Sequence, residues 1–302
     1  MKLEHMGMVG YGEVGKIFAA GLRNSVLSVS AWDLKFDDPS MREAQLAHAA
    51  QAGVQACASM QVLCEKADFV ISAVTASNTL MVAQVAAKHI RPGAIFLDLN
   101  SASPGTKQQA AQVMAGAGAH YVEAGVMTSV PPYGIRVPML LGGARAQALA
   151  EKLSSFGMNA KPVATEIGVA SAIKMCRSVM IKGLEALVIE SYTTARKYGV
   201  EQHMIPTLAE TFPSIDWEKQ GAYFFSRVAQ HGKRRAEEMR EAANTVREAG
   251  FEPWMAAAIA EKHDWMARQS AAGVFDGLPI DASWQQFADC LIALQTVPAP
   301  IQ

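Results

Sequence analysis

The sequence is poor in the features that announce metals, disulfides or charged partners. Cysteine is scarce, at four residues: Cys57, Cys64, Cys176 and Cys290. None forms a C-x-x-C pair, and none stands beside a histidine at metal-ligand spacing. Neither a disulfide framework nor a metal site is therefore expected. Reduced, buried thiols in a cytoplasmic protein are the expectation. An excess of one charge is also missing, since 27 lysines and arginines face 28 aspartates and glutamates. That balance gives no electrostatic case for nucleic acid or an anionic membrane as partner. No long apolar run is free of charges and glycines, so no transmembrane helix is expected. Strand-like residues begin almost at Met1, and no leader segment is expected.

What is present is an ample supply of core. Half of the 302 residues are hydrophobic, enough for one large domain or two ordinary ones. Methionine, at 16 residues, reads as adaptable packing. The first half alternates short apolar runs with helical patterns. Strands are predicted at residues 5–9, 27–32, 69–74 and 94–99, with later ones at 120–123, 137–142 and 158–163. Helices are predicted at 14–23, 40–52, 59–66, 77–89 and 104–116. Continuous apolar runs, rather than alternating ones, suit parallel strands covered on both faces. The βαβ rhythm predicts an α/β fold, a Rossmann domain with a mostly parallel sheet. After Gly168 the rhythm changes to a long helix over residues 169–198. An all-helical pattern follows, with breaks near Pro206, Pro213, residues 250–253 and residues 277–279. The division falls near residue 165: an α/β domain at 1–165 and a helical domain at 166–302.

The loop Gly10-Tyr11-Gly12-Glu13-Val14-Gly15 lies between the first strand and the first helix. Gly10 permits a tight turn, Gly12 lets the backbone approach a pyrophosphate, and Gly15 lets helix and strand pack closely. The helix N-terminus supplies N–H groups and partial positive charge to the phosphates. Asp33 closes the second strand about 20 residues on, where a carboxylate accepts bonds from the adenosine ribose and repels a 2′-phosphate. This favours NAD as the cofactor. Lys35 nearby keeps NADP open, and a solvated turn aspartate is the alternative for Asp33. Val74 and Thr75 follow the fourth strand, at the edge where ligands of open α/β sheets bind. Thr75 reads equally well as a helix cap.

Four ordered features make the chain similar to the β-hydroxyacid dehydrogenase superfamily, the group of 3-hydroxyisobutyrate dehydrogenase and 6-phosphogluconate dehydrogenase. The first is the glycine loop. The second is Asp98-Leu99-Asn100-Ser101-Ala102-Ser103-Pro104, which resembles the family's D-x-S-T-x-x-P substrate motif. The third is Glu123-Ala124-Gly125-Val126-Met127-Thr128-Ser129-Val130, where the family has D-A-P-V-S-G-G-V. The fourth is Gly168 with Lys174, resembling G-x-G-x-x-x-K-x-x-N. The resemblance implies that Lys174 is the catalytic acid/base. A burial-lowered ammonium can take an alcohol proton and stabilise developing alkoxide charge. A solvated helix lysine is the alternative, although the apolar flanks of Lys174 speak against a charged face. The resemblance also implies that Asn100, Ser101, Ala102, Thr128 and Ser129 contact the substrate, with Asn100 touching the cofactor too.

The departures bear on the substrate. Arg177 stands where the family has asparagine. It can hold a substrate carboxylate or pair with an acid of the protein. Ser178 lies one turn beyond Lys174, and Lys182 two turns beyond. Met127-Thr128-Ser129 replaces the serine and glycines that wrap the family's substrate, which implies a substrate other than hydroxyisobutyrate. Later, His231 and Arg235 lie one helical turn apart. They are candidates to line the site, or part of a basic face paired with Glu237 and Glu238. This region resembles a subgroup with a distinct C-terminal helical domain. The expected function is an NAD(P)-dependent dehydrogenase acting on a small β-hydroxy acid, working as a homodimer on a small-molecule carboxylate. An imine reductase-like enzyme and a non-catalytic NAD(H)-binding sensor are the alternatives. Trp254, Trp265 and Trp284 contribute to more apolar surface than one small helical domain is expected to bury.

Overall fold

The computed structural model describes residues 3–294. They fall into two compact units. One runs to Cys176 and takes in Glu248–Gly250; the other comprises Arg177–Arg247 and resumes at Phe251. The division lies inside a helix rather than ahead of it at residue 165. The reason is local: the start of that helix packs on the sheet. A Cβ built on Gly125 would stand 2.9 Å from the Ala170 carbonyl and 3.5 Å from Lys174 Cβ.

In the first unit the strands are β1 (His5–Val9), β2 (Ser28–Trp32), β3 (Gln55–Ala56), β4 (Phe69–Ser72), β5 (Ile95–Asp98), β6 (His120–Val126), β7 (Met139–Gly142) and β8 (Ala160–Ala164). Its helices are α1 (Glu13–Leu22), α2 (Arg42–Gln51), α3 (Met60–Lys66), α4 (Thr79–Ala87), α5 (Pro104–Gly116) and α6 (Ala146–Ser155). The strands form one sheet in the order β3-β2-β1-β4-β5-β6-β7-β8. The first six strands are parallel; β7 runs antiparallel to β6, and β8 runs parallel to β7. The sheet is therefore mostly parallel, as the apolar runs predict, and both faces are covered. Met8, Ile71 and Leu97 pack with Phe18, Leu22 and Leu153 on one face. Val9, Val70 and Phe96 pack with Leu63, Ala83 and Met114 on the other. Two-sided burial explains why these strands read as continuous rather than alternating hydrophobic segments.

The second unit is helical. It holds the greater part of α7 (Val169–Tyr198), with α8 (Glu201–Thr211), α9 (Trp217–Glu248), α10 (Trp254–Ala271) and α11 (Trp284–Ala293). Ile189, Tyr192, Phe225, Val228, Met266 and Trp284 form its core. Tyr192 and Trp284 meet edge to face, with ring centroids 4.8 Å apart, over Gly221, where a Cβ would stand 2.8 Å from the Tyr192 ring. The break expected near Pro206 falls earlier, at Gly199 (φ +70). Pro206 lies inside α8, where it forgoes one helical hydrogen bond on an exposed face. Of the tryptophans, Trp284 is core while Trp254 is 78% exposed. Of the thiols, all free, Cys57 and Cys64 are buried, but Cys176 is exposed, because it lies on the outer face of α7 with Ile173 and Arg177. Burial pushes the Cys64 thiol up to about 12, which makes it inert.

Candidate functional site

The site is built at the carboxyl ends of β1, β2, β4, β5 and β6. Gly10 has φ +90; its N–H donates to the Trp32 carbonyl at 2.9 Å. A Cβ there would lie 2.4 Å from the Ala73 carbonyl oxygen. At Gly15 a Cβ would lie 1.9 Å from the Gly10 carbonyl oxygen. Gly12 is different: nothing lies within 4 Å of its missing Cβ. It caps α1 without a side-chain bond, leaving an open cradle over the helix N-terminus. That is the arrangement a pyrophosphate needs, so the residues present fit a dinucleotide. Exposed Glu13 and partly buried Val14 form the first turn.

Tyr11 departs from the expected direct contact. Its side chain is fully buried, its hydroxyl lies 3.1 Å from His48 Nδ1, and its ring meets Phe36 edge to face. Burial also holds its phenol above the usual range. Its backbone N–H donates to Asp33 Oδ2 at 2.5 Å. Tyr11 thus shapes the loop from behind. Asp33 joins β2 to the loop, and its Oδ1 accepts from Lys35 N at 2.9 Å. Each oxygen keeps a lone pair for a further donor.

Asn100 acts as a brace. Its Oδ1 accepts from Val74 N at 2.7 Å, its Nδ2 donates to Ser72 Oγ at 3.0 Å, and its N–H donates to Asp98 at 2.8 Å. The buried amide thereby fixes the Val74-Thr75 turn. Thr75 is exposed, and its Oγ1 accepts from Asn78 Nδ2 at 2.7 Å. It stands at the cap position of the short helical turn that follows, without a side-chain cap bond. Ala102 is fully buried and contributes packing alone.

Below this turn lies a network that sequence reasoning missed. Asp98 is paired with Lys107 at 2.9 Å, both essentially inaccessible, and accepts from the Tyr121 hydroxyl at 2.5 Å. Burial, then the Asp98 charge, hold the Tyr121 phenol well above its ordinary range. Lys107, between Thr106 and Gln108, and Tyr121, after His120, carry no motif signature that marks them for burial. Glu248 was also unforeseen, since it is remote in sequence: it accepts from Ser103 Oγ at 2.6 Å and Gly105 N at 2.8 Å.

Lys174 Nζ donates to Ser101 Oγ at 2.6 Å. This contact joins the second and fourth motifs, and Gly125 brings the third against the same turn of α7. Thr128 is exposed and Ser129 partly buried in the connection after β6. The remaining candidates belong to the helical unit. Arg177 is exposed, with no acidic partner among the described residues. Ser178 is buried and accepts from Lys182 Nζ at 3.3 Å. Lys182 pairs with Glu238 at 2.8 Å, so its charge is already compensated. His231 is partly buried on α9. Arg235 is buried and clasps Glu185 with two nitrogens, not Glu237 or Glu238. It holds α9 to α7 as a structural pair.

Among solved structures, a conserved hypothetical protein from Sinorhizobium meliloti 1021 is 39% identical, covers 97% of each chain and has a TM-score of 0.76. The conserved protein MTH1747, described as structurally similar to 3-hydroxyacid dehydrogenases, is 29% identical over 89% of this chain and 98% of its own, with a TM-score of 0.67. A 3-hydroxyisobutyrate dehydrogenase from Mycobacterium tuberculosis shares the fold at 16% identity, over 96% of this chain and 99% of its own, with a TM-score of 0.67. Residues 195–266 match a domain of unknown function, DUF1932. Residues 5–160 match the NAD binding domain of 6-phosphogluconate dehydrogenase, and the chain belongs to that family of nicotinamide-dependent, hydroxyacid dehydrogenase-like proteins.

Proposed function

We propose that the protein oxidises a small β-hydroxy acid, or reduces the matching oxo acid, with NAD as cofactor and Lys174 as general acid/base. The observation that carries this reading is the 2.6 Å contact between Lys174 Nζ and Ser101 Oγ. It lies beyond the carboxyl end of β5, on the same edge of the sheet as the glycine loop. Gly10, Gly12 and Gly15 hold the pyrophosphate, and Asp33 receives the adenosine ribose hydroxyls. A bound nicotinamide supplies the hydride acceptor. Lys174, as the amine, takes the proton from the substrate hydroxyl, and its ammonium form returns it in the reverse direction. Ser101 orients the amine and, with Ser129, donates to the substrate carboxylate. The Asp33 carboxylate repels a 2′-phosphate, which supports NAD over NADP.

The test is a panel of 3-hydroxy acids assayed with NAD and NADP, read by the absorbance of the reduced nicotinamide. At least one acid is expected to turn over, faster with NAD. NADH binding without turnover of any acid would favour the sensor reading instead. We also propose a homodimer built through the helical unit. Trp254, Met255 and Phe251, close together in sequence, are 78%, 59% and 71% exposed, and such large apolar side chains are candidates for cover by a partner.

A further inference from the structure

We propose that Glu123 is a positioning residue for Lys174, a buried carboxylate that fixes the start of α7 and thereby the reach of Lys174 to Ser101. Its effect on turnover rests on the reading of Lys174 above; its effect on Lys174 itself does not.

Glu123 points inward from β6 and is fully buried. Its Oε1 accepts from Gly168 N at 2.7 Å and Ala170 N at 3.0 Å, and its Oε2 from Ser171 N at 3.3 Å. These are N–H groups that a helix start otherwise leaves unpaired. No cation pairs with Glu123 among the described residues. Its charge is balanced by the N–H groups and the positive end of α7. A serine cap, the common solution, would satisfy one N–H from within the chain segment itself. Glu123 instead bonds the helix start to a strand.

The backbone around it is shaped to admit that carboxylate. Gly142 stands opposite Glu123 in the β6–β7 register, and a Cβ there would lie 2.5 Å from Glu123 Oε1. Gly168 enters the helix at φ +111. Two residues along β6, Gly125 lets the backbone of α7 close in at Ala170 and Lys174. Lys174 lies one turn beyond Ser171, so a shift of the first turn displaces its Cβ directly. A hydrogen bond of 2.6 Å tolerates little displacement.

The test uses the full chain with Glu123→Gln, which keeps the shape and removes the charge and one acceptor. Glu123→Ala is the harsher companion. Each is made alone and together with Ser101→Ala. The readout is the rate at which trinitrobenzenesulfonate labels Lys174, resolved by mass spectrometry, with NADH binding by fluorescence as the check of fold. Glu123→Gln is expected to bind NADH like wild type and to label Lys174 about fivefold faster, the scale of one lost cap bond. Ser101→Ala is expected to speed labelling similarly, and the double variant no further, because both act on one contact. Labelling unchanged in Glu123→Gln, or effects that simply multiply, would overturn the proposal. Turnover separates the two readings: if Lys174→Ala keeps activity, the catalytic role fails while the labelling result stands.

Discussion

At Gly10 and Gly12 the same residue type answers to different physics. Gly10 needs its positive φ and has a carbonyl oxygen where a Cβ would go. Gly10→Ala is therefore expected to cost about 2 kcal/mol or more of folding stability. Gly12 has open space at that position. Gly12→Ala is expected to stay within about 0.5 kcal/mol of wild type, yet to weaken NADH binding about tenfold by filling the cradle. Denaturant titration and NADH fluorescence check the pair, and equal behaviour of the two variants would contradict the assignment. These glycines were legible in the sequence because the pattern names a backbone geometry. The bracing role of Asn100 was not legible, for the opposite reason. Its amide was visible, but the groups it engages, the Val74 N–H that donates to its Oδ1 and the Ser72 hydroxyl that accepts from its Nδ2, lie at the end of another strand.

Among the elements, α7, α9 and α10 share a buried ionic cluster. His263 is fully buried on α10, with neither ring nitrogen hydrogen-bonded. It lies 3.8 Å from Glu185, too far for a hydrogen bond, and Arg235 already occupies that carboxylate. Burial, then the charges of Arg235 and Lys182, lower its pKa from 6.5 to about 3, so it is neutral at pH 7. The unfolded chain then binds the proton that the folded chain refuses. The stability is present above pH 6.5 and is lost as pH falls toward 3. The slope in that window is about 1.4 kcal/mol per pH unit. Denaturant unfolding from neutral pH down to about pH 4 reads this slope; His263→Leu is expected to flatten it. At α8, Pro206→Ala is expected to raise stability by about 1 kcal/mol or more by restoring a helical N–H, read as a higher Tm. Most strands of the first unit were legible because burial on both faces leaves continuous apolar runs, whereas α6 (Ala146–Ser155) was not predicted. β3, at two residues, was too short for any periodicity. The reversal of β7 was hidden because strand direction is set by the connection and not by composition.

The whole molecule combines a cofactor half whose logic is local with a helical half whose logic is tertiary. The loop, Asp33 and the Lys174 motif could be read along the chain. The pairing of Arg235 with Glu185 could not, because it spans 50 residues and neither partner has a distinctive neighbourhood. The exposed apolar faces of the helical unit predict a dimer in sedimentation at low micromolar concentration; a monomer would contradict that. A dehydrogenase site at Lys174 stands or falls with the contribution of that lysine to turnover. The most direct measurement compares wild type with Lys174→Ala on whichever 3-hydroxy acid the panel identifies, at saturating NAD. In Lys174→Ala, kcat is expected to fall by about 10² or more while NADH binding stays as in wild type. Turnover near the wild-type rate in Lys174→Ala would contradict a dehydrogenase site there.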